Sequence, residues 1–217
     1  MIDINIWKET FVTDEFLNKI RLYITKQTEG KILTTTTFKD ISHTPREIQI
    51  KKHKTVSLVP FYYIDYILKN STSDKIFDIG CGCNFFKNFY NVTGYDQTNE
   101  ADVKCLFDEE FVEQNKNKLD NAIAINSLHF ININRLCQRI QDFYSVVVPD
   151  GYGYISLNMQ RLLTRTPEAD INWAFDFVKE QIENTGIDFI SVYVDNTTVD
   201  EYIDGNIRLL FKKEKNL

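Results

Sequence analysis

Lys75-Ile76-Phe77-Asp78-Ile79-Gly80-Cys81-Gly82 is the stretch on which the fold turns. A short apolar run ends in a carboxylate and then glycines, which reads as a buried strand stopping at a tight loop. The loop leads into a short helical segment at residues 84–90. In open α/β sheets, ligands bind outside the carboxyl ends of strands, where the strand order reverses. Glycines there allow a ligand to approach backbone that a Cβ would shield. The next strand, NVTGYD, ends at Asp96, eighteen residues after Asp78. An acidic residue at the tip of the second strand is what a two-pronged contact to a ribose diol requires. Asp78 and Asp96 thus define a candidate nucleoside site with a carboxylate at each end.

The alternation continues outward in both directions. ADVKCLF (101–107) reads as a third strand, with almost no room for a helix before it, and residues 109–118 as a helix. NAIAIN is a fourth strand, and residues 132–147 form a helix with Leu136, Ile140, Phe143 and Val147 on one face. A Pro-Asp-Gly turn precedes YGYISLN, the fifth strand. Thr166 and Pro167 open a long helix over 167–184. DFISVYV and NIRLLFKK follow, joined by a polar connection containing Asp204-Gly205; with no helix between them they are expected to pair antiparallel. Strands alternating with helices specify an α/β fold with a doubly wound, seven-stranded, mostly parallel sheet and an antiparallel last strand. Upstream, residues 13–28 and 56–69 read as helices, and 31–54 as a lid or arm with at most brief strands. The expected organisation is an N-terminal helical arm, 1–54, and a sheet domain, 55–217.

Composition narrows the classes. The chain has 217 residues, 43% of them hydrophobic and 26% charged, which is globular and excludes disorder or a disulfide-stapled miniprotein. No apolar run is long enough for a membrane span, and residues 1–10 carry no signal-peptide pattern, so a cytoplasmic protein with no membrane partner is expected. Net charge is −6, which gives no long-range attraction for a polyanion. Residues 31–54 run against this, with six Lys or Arg against Asp40 and Glu47, a local +4. That segment is a solvated face or a site for an anionic acceptor, with His43 and Arg46 as candidates. Four cysteines and three histidines lack zinc-site spacing, so no metal is expected.

The motifs resemble those of the class I S-adenosylmethionine-dependent methyltransferases, over residues 75–213. The family's first motif, an acidic residue followed by alternating glycines, lies at Asp78, Gly80 and Gly82. Its ribose-holding residue matches Asp96. Asn126-Ser127-Leu128-His129-Phe130 is similar to the segment at the active-site mouth, and the final hairpin to the reversed seventh strand. The resemblance implies bound S-adenosylmethionine, released as S-adenosylhomocysteine. The implied cofactor contacts are Asp78, Gly80, Cys81, Gly82, Asp96, Gln97 and Asn126, with Phe107 and Asp108 as candidates at the adenine side. The family's further motif glycine is replaced by Asn84, a residue that tolerates left-handed geometry. A dinucleotide-binding fingerprint would need glycine at Phe85, where a bulky ring obstructs the pyrophosphate.

His129 follows strand four and is the candidate catalytic base, since a near-neutral imidazole can take a proton from a hydroxyl or amine. Asn158 and Arg161 follow strand five and are candidate substrate contacts. The Asn/Asp-Pro-Pro-aromatic signature of base-amino methyltransferases is missing at 126–129. A small or medium-sized acceptor, methylated at oxygen or nitrogen, is therefore expected. Two alternatives stay open: an RNA or protein acceptor docked on residues 31–54, and a non-catalytic relative of the same fold.

Overall fold

The computed structural model describes residues 47–51, 54–57, 59–82, 84–128, 133–159, 162, 171–194, 198–199, 202–203 and 206–215. The expected helix at 13–28 lies outside the described residues. Ile2–Asn70 and Ser71–Leu217 form two compact units. In the first, β1 (Glu47–Lys51) and β2 (Lys54–Ser57) pair antiparallel, and α1 (Val59–Asn70) follows. Pro60 sits in the first turn of α1, where its missing N–H has no helical partner to lose.

The second unit is built on a seven-stranded sheet. Its strands are β3 (Ile76–Ile79), β4 (Val92–Asp96), β5 (Val103–Lys104), β6 (Leu119–Ile125), β7 (Val147–Asn158), β8 (Phe189–Val194) and β11 (Asn206–Lys212). A two-residue ladder, β9 (Thr198–Val199) with β10 (Tyr202–Ile203), occupies the β8–β11 connection. The order across the sheet is β5-β4-β3-β6-β7-β11-β8. Pairing is parallel from β5 to β7, and β11 is antiparallel to both β7 and β8. Among the described residues, the longer helices of this unit are α2 (Glu109–Asn115), α3 (Leu136–Val146) and α4 (Ile171–Glu183).

Burial explains the central strands. Ala122, Ile123 and Ala124 of β6 are fully buried, as central parallel strands require. Leu136, Ile140 and Phe143 of α3 recur at helical spacing and are also fully buried. Each such large side chain contributes roughly 2–3 kcal/mol relative to exposure. Lys213, just after β11, is a buried cation. Its Nζ donates to the carbonyls of Tyr144 (3.0 Å), Ser145 (2.9 Å) and Val147 (2.8 Å) and to Asn117 Oδ1 (2.7 Å). The ammonium thus adds a donor to the carbonyls at the α3 C-terminus, where the helix dipole favours positive charge.

Three elements differ from the sequence reading. The third strand is only Val103–Lys104. Val103 is 40% exposed at the sheet edge, so no burial extends the strand toward Phe107. The Pro-Asp-Gly turn does not precede the fifth strand but lies inside β7, which begins at Val147. Asp150 takes φ 65°, and the register against β6 shifts between Leu119 and Asn121. This is a bulge that absorbs an irregularity without ending the ladder. The helix expected from residue 132 begins as a 3-10 turn, Ile133–Arg135, and becomes α-helical at Leu136. Among the described residues, no helix is long and apolar enough to cross a membrane.

Candidate functional site

β3 stops at Ile79, and the chain turns because Gly80 takes φ 74°. The Gly80 and Cys81 N–H groups both donate to Tyr95 O, at 2.7 and 3.2 Å, tying the loop to β4. On the other side, Ser127 Oγ donates to Ile79 O at 2.6 Å. A Cβ on Gly80 would collide with the Ser127 side chain. Only glycine satisfies both the φ and the contact. Gly80→Ala is expected to lower stability by about 2–4 kcal/mol, through overpacking and a disfavoured φ. Urea denaturation checks this; an alanine variant as stable as the parent would contradict the close approach.

Gly82, at φ 55°, has open space where a Cβ would point. Asn84 has φ 51° and ψ 44°, left-handed as its replacement of glycine demands. Its Nδ2 donates to Asp102 Oδ2 at 3.0 Å and to Glu100 O at 3.3 Å. Asp102 also accepts from Gly94 N–H (3.0 Å) and from Lys87 Nζ. The Gly94, Lys87 and Asn84 bonds hold the Asp102 carboxyl down at about 2.

Asp96 ends β4 and faces the glycine loop. Its Oδ2 accepts from Gly82 N–H at 2.9 Å and its Oδ1 from Thr98 N–H at 3.0 Å. Thr98 Oγ1 closes the ring by donating to Gly82 O at 2.7 Å. A carboxylate oxygen accepts more than one hydrogen bond, so each still has capacity for a ligand hydroxyl.

These loops surround a cavity of about 720 Å³. Gly80, Gly82, Asp96, Gln97, Phe107 and Asn126 line it, six of the nine cofactor contacts read from the sequence. Asp78, Cys81 and Asp108 do not line it. Asp78 is only 2% exposed; burial, reinforced by the Asp96 carboxylate, pushes its carboxyl up to about 7. Cys81 is buried too, and burial with the charges of Asp78 and Asp96 pushes its thiol up to about 12. Asp108 caps α2, its Oδ1 accepting from Phe111 N–H at 2.9 Å. Asn158 ends β7 opposite Asn206 and is not part of the cavity wall. His129, His43, Arg46 and Arg161 lie outside the described residues.

The cavity also uses residues that the sequence reading did not single out. Tyr95 and Thr98 line it beside Asp96, and Arg139 reaches it from α3. Thr98 has a local signal, since its N–H folds back on the aspartate two residues earlier, as in an Asx turn. Arg139 has none, because its placement depends on how α3 packs. Chemically, the site offers a carboxylate acceptor, a glycine-bared loop and a wall of Leu106 and Phe107. Among the described residues, no group of three or more His, Cys, Asp or Glu could hold a metal ion.

Counted from the first strand of this sheet, the order is 3-2-1-4-5-7-6, with the seventh strand reversed. The fold is that of the class I S-adenosylmethionine-dependent methyltransferases. Among solved structures, the [4+2]-cyclase SpnF is 11% identical, covers 91% of this chain and 94% of its own, and superposes with a TM-score of 0.51. An S-adenosylmethionine-dependent methyltransferase from Archaeoglobus fulgidus is 16% identical, with 72% and 93% covered and a TM-score of 0.46. One from Methanosarcina mazei is 14% identical, with 68% and 97% covered and a TM-score of 0.46. No family model matches the chain, and no curated protein matches it in sequence.

Proposed function

We propose that the cavity binds S-adenosylmethionine and that the protein transfers its methyl group to a small or medium-sized acceptor. The observation that carries this reading is the meeting of Gly80, Gly82 and Asp96 around one cavity at the carboxyl ends of adjacent parallel strands. The residues suit the group. Asp96 supplies acceptors for a diol, Gly82 leaves the loop open on its Cβ side, and Leu106 and Phe107 offer an apolar face to a base. A cavity of about 720 Å³ is within the usual range for a cofactor site.

When bound, the cofactor supplies an electrophilic methyl on a sulfonium. The chain's part is to orient it and to present the acceptor in line, an alignment that by itself removes much of the barrier. His129, next in sequence to the cavity-lining Leu128, is the proposed proton acceptor for a hydroxyl or amine. His43 and Arg46 of the basic segment, with Asn158 at the end of β7 and Arg161 beyond it, are the proposed acceptor contacts. A net charge of −6 supports a small acceptor over a polyanion.

A second reading has its own support. The fold carries a [4+2]-cyclase in SpnF, so fold does not fix the reaction. Calorimetric titration with S-adenosylhomocysteine tests the step that the first reading requires. Binding at micromolar Kd is expected; a chain that binds neither S-adenosylhomocysteine nor S-adenosylmethionine uses this fold for something else.

A further inference from the structure

The wall of the cavity beyond β5 lacks a support that doubly wound sheets ordinarily have. No helix lies between β4 and β5, and β5 is two residues long. Residues 105–108 therefore leave an exposed sheet edge without a crossover helix packed beneath them. Yet Cys105, Leu106 and Phe107 all line the cavity, with Leu106 52% exposed.

Arg139 on α3 meets this wall. Its Nη1 donates to Phe107 O at 3.3 Å, and its guanidinium carbon lies 5.8 Å from the centre of the Phe107 ring. Asp142, one turn along α3, pairs with the same Nη1 at 3.4 Å. Both partners are largely shielded, with side chains 19% and 16% exposed. Phe107 is packed on its other sides by Phe111 (ring centres 5.6 Å apart) and Phe143 (6.5 Å). Arg139 is also the one cation among the described residues that line the cavity.

We infer that Arg139 is a positioning residue: its bond to the Phe107 carbonyl and its contact with the Phe107 ring fix the 105–108 wall, which no crossover helix between β4 and β5 backs. A planar guanidinium suits this task. It donates in the plane of its fork while one face lies on a ring, which an ammonium cannot do. Asp142 holds the fork in orientation. The consequence for ligand binding rests on the proposed cofactor reading, whereas the consequence for the wall itself does not.

The experiment therefore has two arms. In the first, amide hydrogen exchange is measured on ligand-free protein, for the parent, Arg139→Met and Arg139→Lys. Both variants are expected to raise exchange at the Cys105 amide, which donates to Asp96 O at 3.0 Å, at least about tenfold, with α3 unchanged. Equal exchange in parent and variants would overturn the inference. In the second, S-adenosylhomocysteine is titrated into the parent, Arg139→Met, Phe107→Leu and the double variant. Arg139→Met is expected to weaken binding about tenfold, and the double variant to be no weaker than the worse single one, because the two residues act as a unit. Losses that multiply, or a single variant within twofold of the parent, would overturn the link to binding. A merely structural defect would lower the fraction of binding-competent protein and leave the Kd of that fraction unchanged. If the parent itself does not bind, the proposed function falls, and the exchange arm still decides the positioning role.

Discussion

Asp96→Ala is expected to weaken S-adenosylhomocysteine binding by about 100-fold or more in calorimetry. Two losses combine. The carboxylate offers the acceptors proposed for the ribose diol, and hydrogen bonds to a charged group contribute about 1.5–3 kcal/mol each. It also organises the site before any ligand arrives, because it accepts from Gly82 N–H and Thr98 N–H at 2.9 and 3.0 Å. Without it, two backbone donors lose their partner, and the glycine loop keeps only the Gly80 and Cys81 bonds to Tyr95 O. Asp96→Asn does not rescue this, since its amide nitrogen would face a backbone donor with another donor. Thr98→Val separates the effects. It removes only the hydroxyl bond to Gly82 O at 2.7 Å and keeps the carboxylate, so a loss of only a few-fold is expected. An Asp96→Ala protein that binds as tightly as its parent would move the cofactor elsewhere on the fold.

The parts of this fold legible in the sequence are those where burial writes a pattern. KIFDIG and NAIAIN are apolar because β3 and β6 are central and covered on both faces, and the two carboxylates at strand ends mark the same sheet edge. The terminal hairpin was legible because too few residues separate its strands for a crossover helix. ADVKCLF misleads for a physical reason. Its apolar residues beyond Lys104 do not enter the sheet; they line the cavity, and Leu106 is exposed. Pro149-Asp150-Gly151 carries turn chemistry, yet pairing continues through it. Asp150 absorbs the geometry with φ 65°, and Gly151 admits the Asp120 carbonyl where a Cβ would collide. Position alone puts Asp108 near the adenine, although the local signal, an aspartate before Glu-Glu-Phe, is that of a helix N-cap. Arg139 shows the limit of local reading, since no pattern on α3 says which neighbour it meets.

Asp78→Asn is expected to stabilise the ligand-free protein most at pH 8, by less than half as much at pH 5, and hardly at all below about pH 4. The Asp78 carboxyl is pushed up to about 7, first by burial and then by Asp96, against an ordinary value of 3.8. Between those two values the folded protein keeps a proton that the unfolded chain has released. The unfolded state then binds fewer protons, so stability falls as pH rises from about 4 to about 7 and stays low above it. The full difference is roughly 2–4 kcal/mol, and near-complete burial leaves little solvent screening to reduce it. Asparagine is neutral throughout and isosteric with the protonated acid, so it removes the slope. Urea midpoints of parent and variant from pH 5 to pH 8 should diverge as pH rises; parallel curves would show that Asp78 ionises freely. S-adenosylmethionine carries a sulfonium and an ammonium, and these charges in the cavity would act through the Gly80 loop to draw the buried Asp78 carboxyl toward its ionised form. On that basis, binding at pH 6 should release a proton, visible as a binding enthalpy that changes with the ionisation heat of the buffer. Asp78→Asn should bind more weakly and lose that buffer dependence, so the residue that stabilises the empty protein would weaken the loaded one.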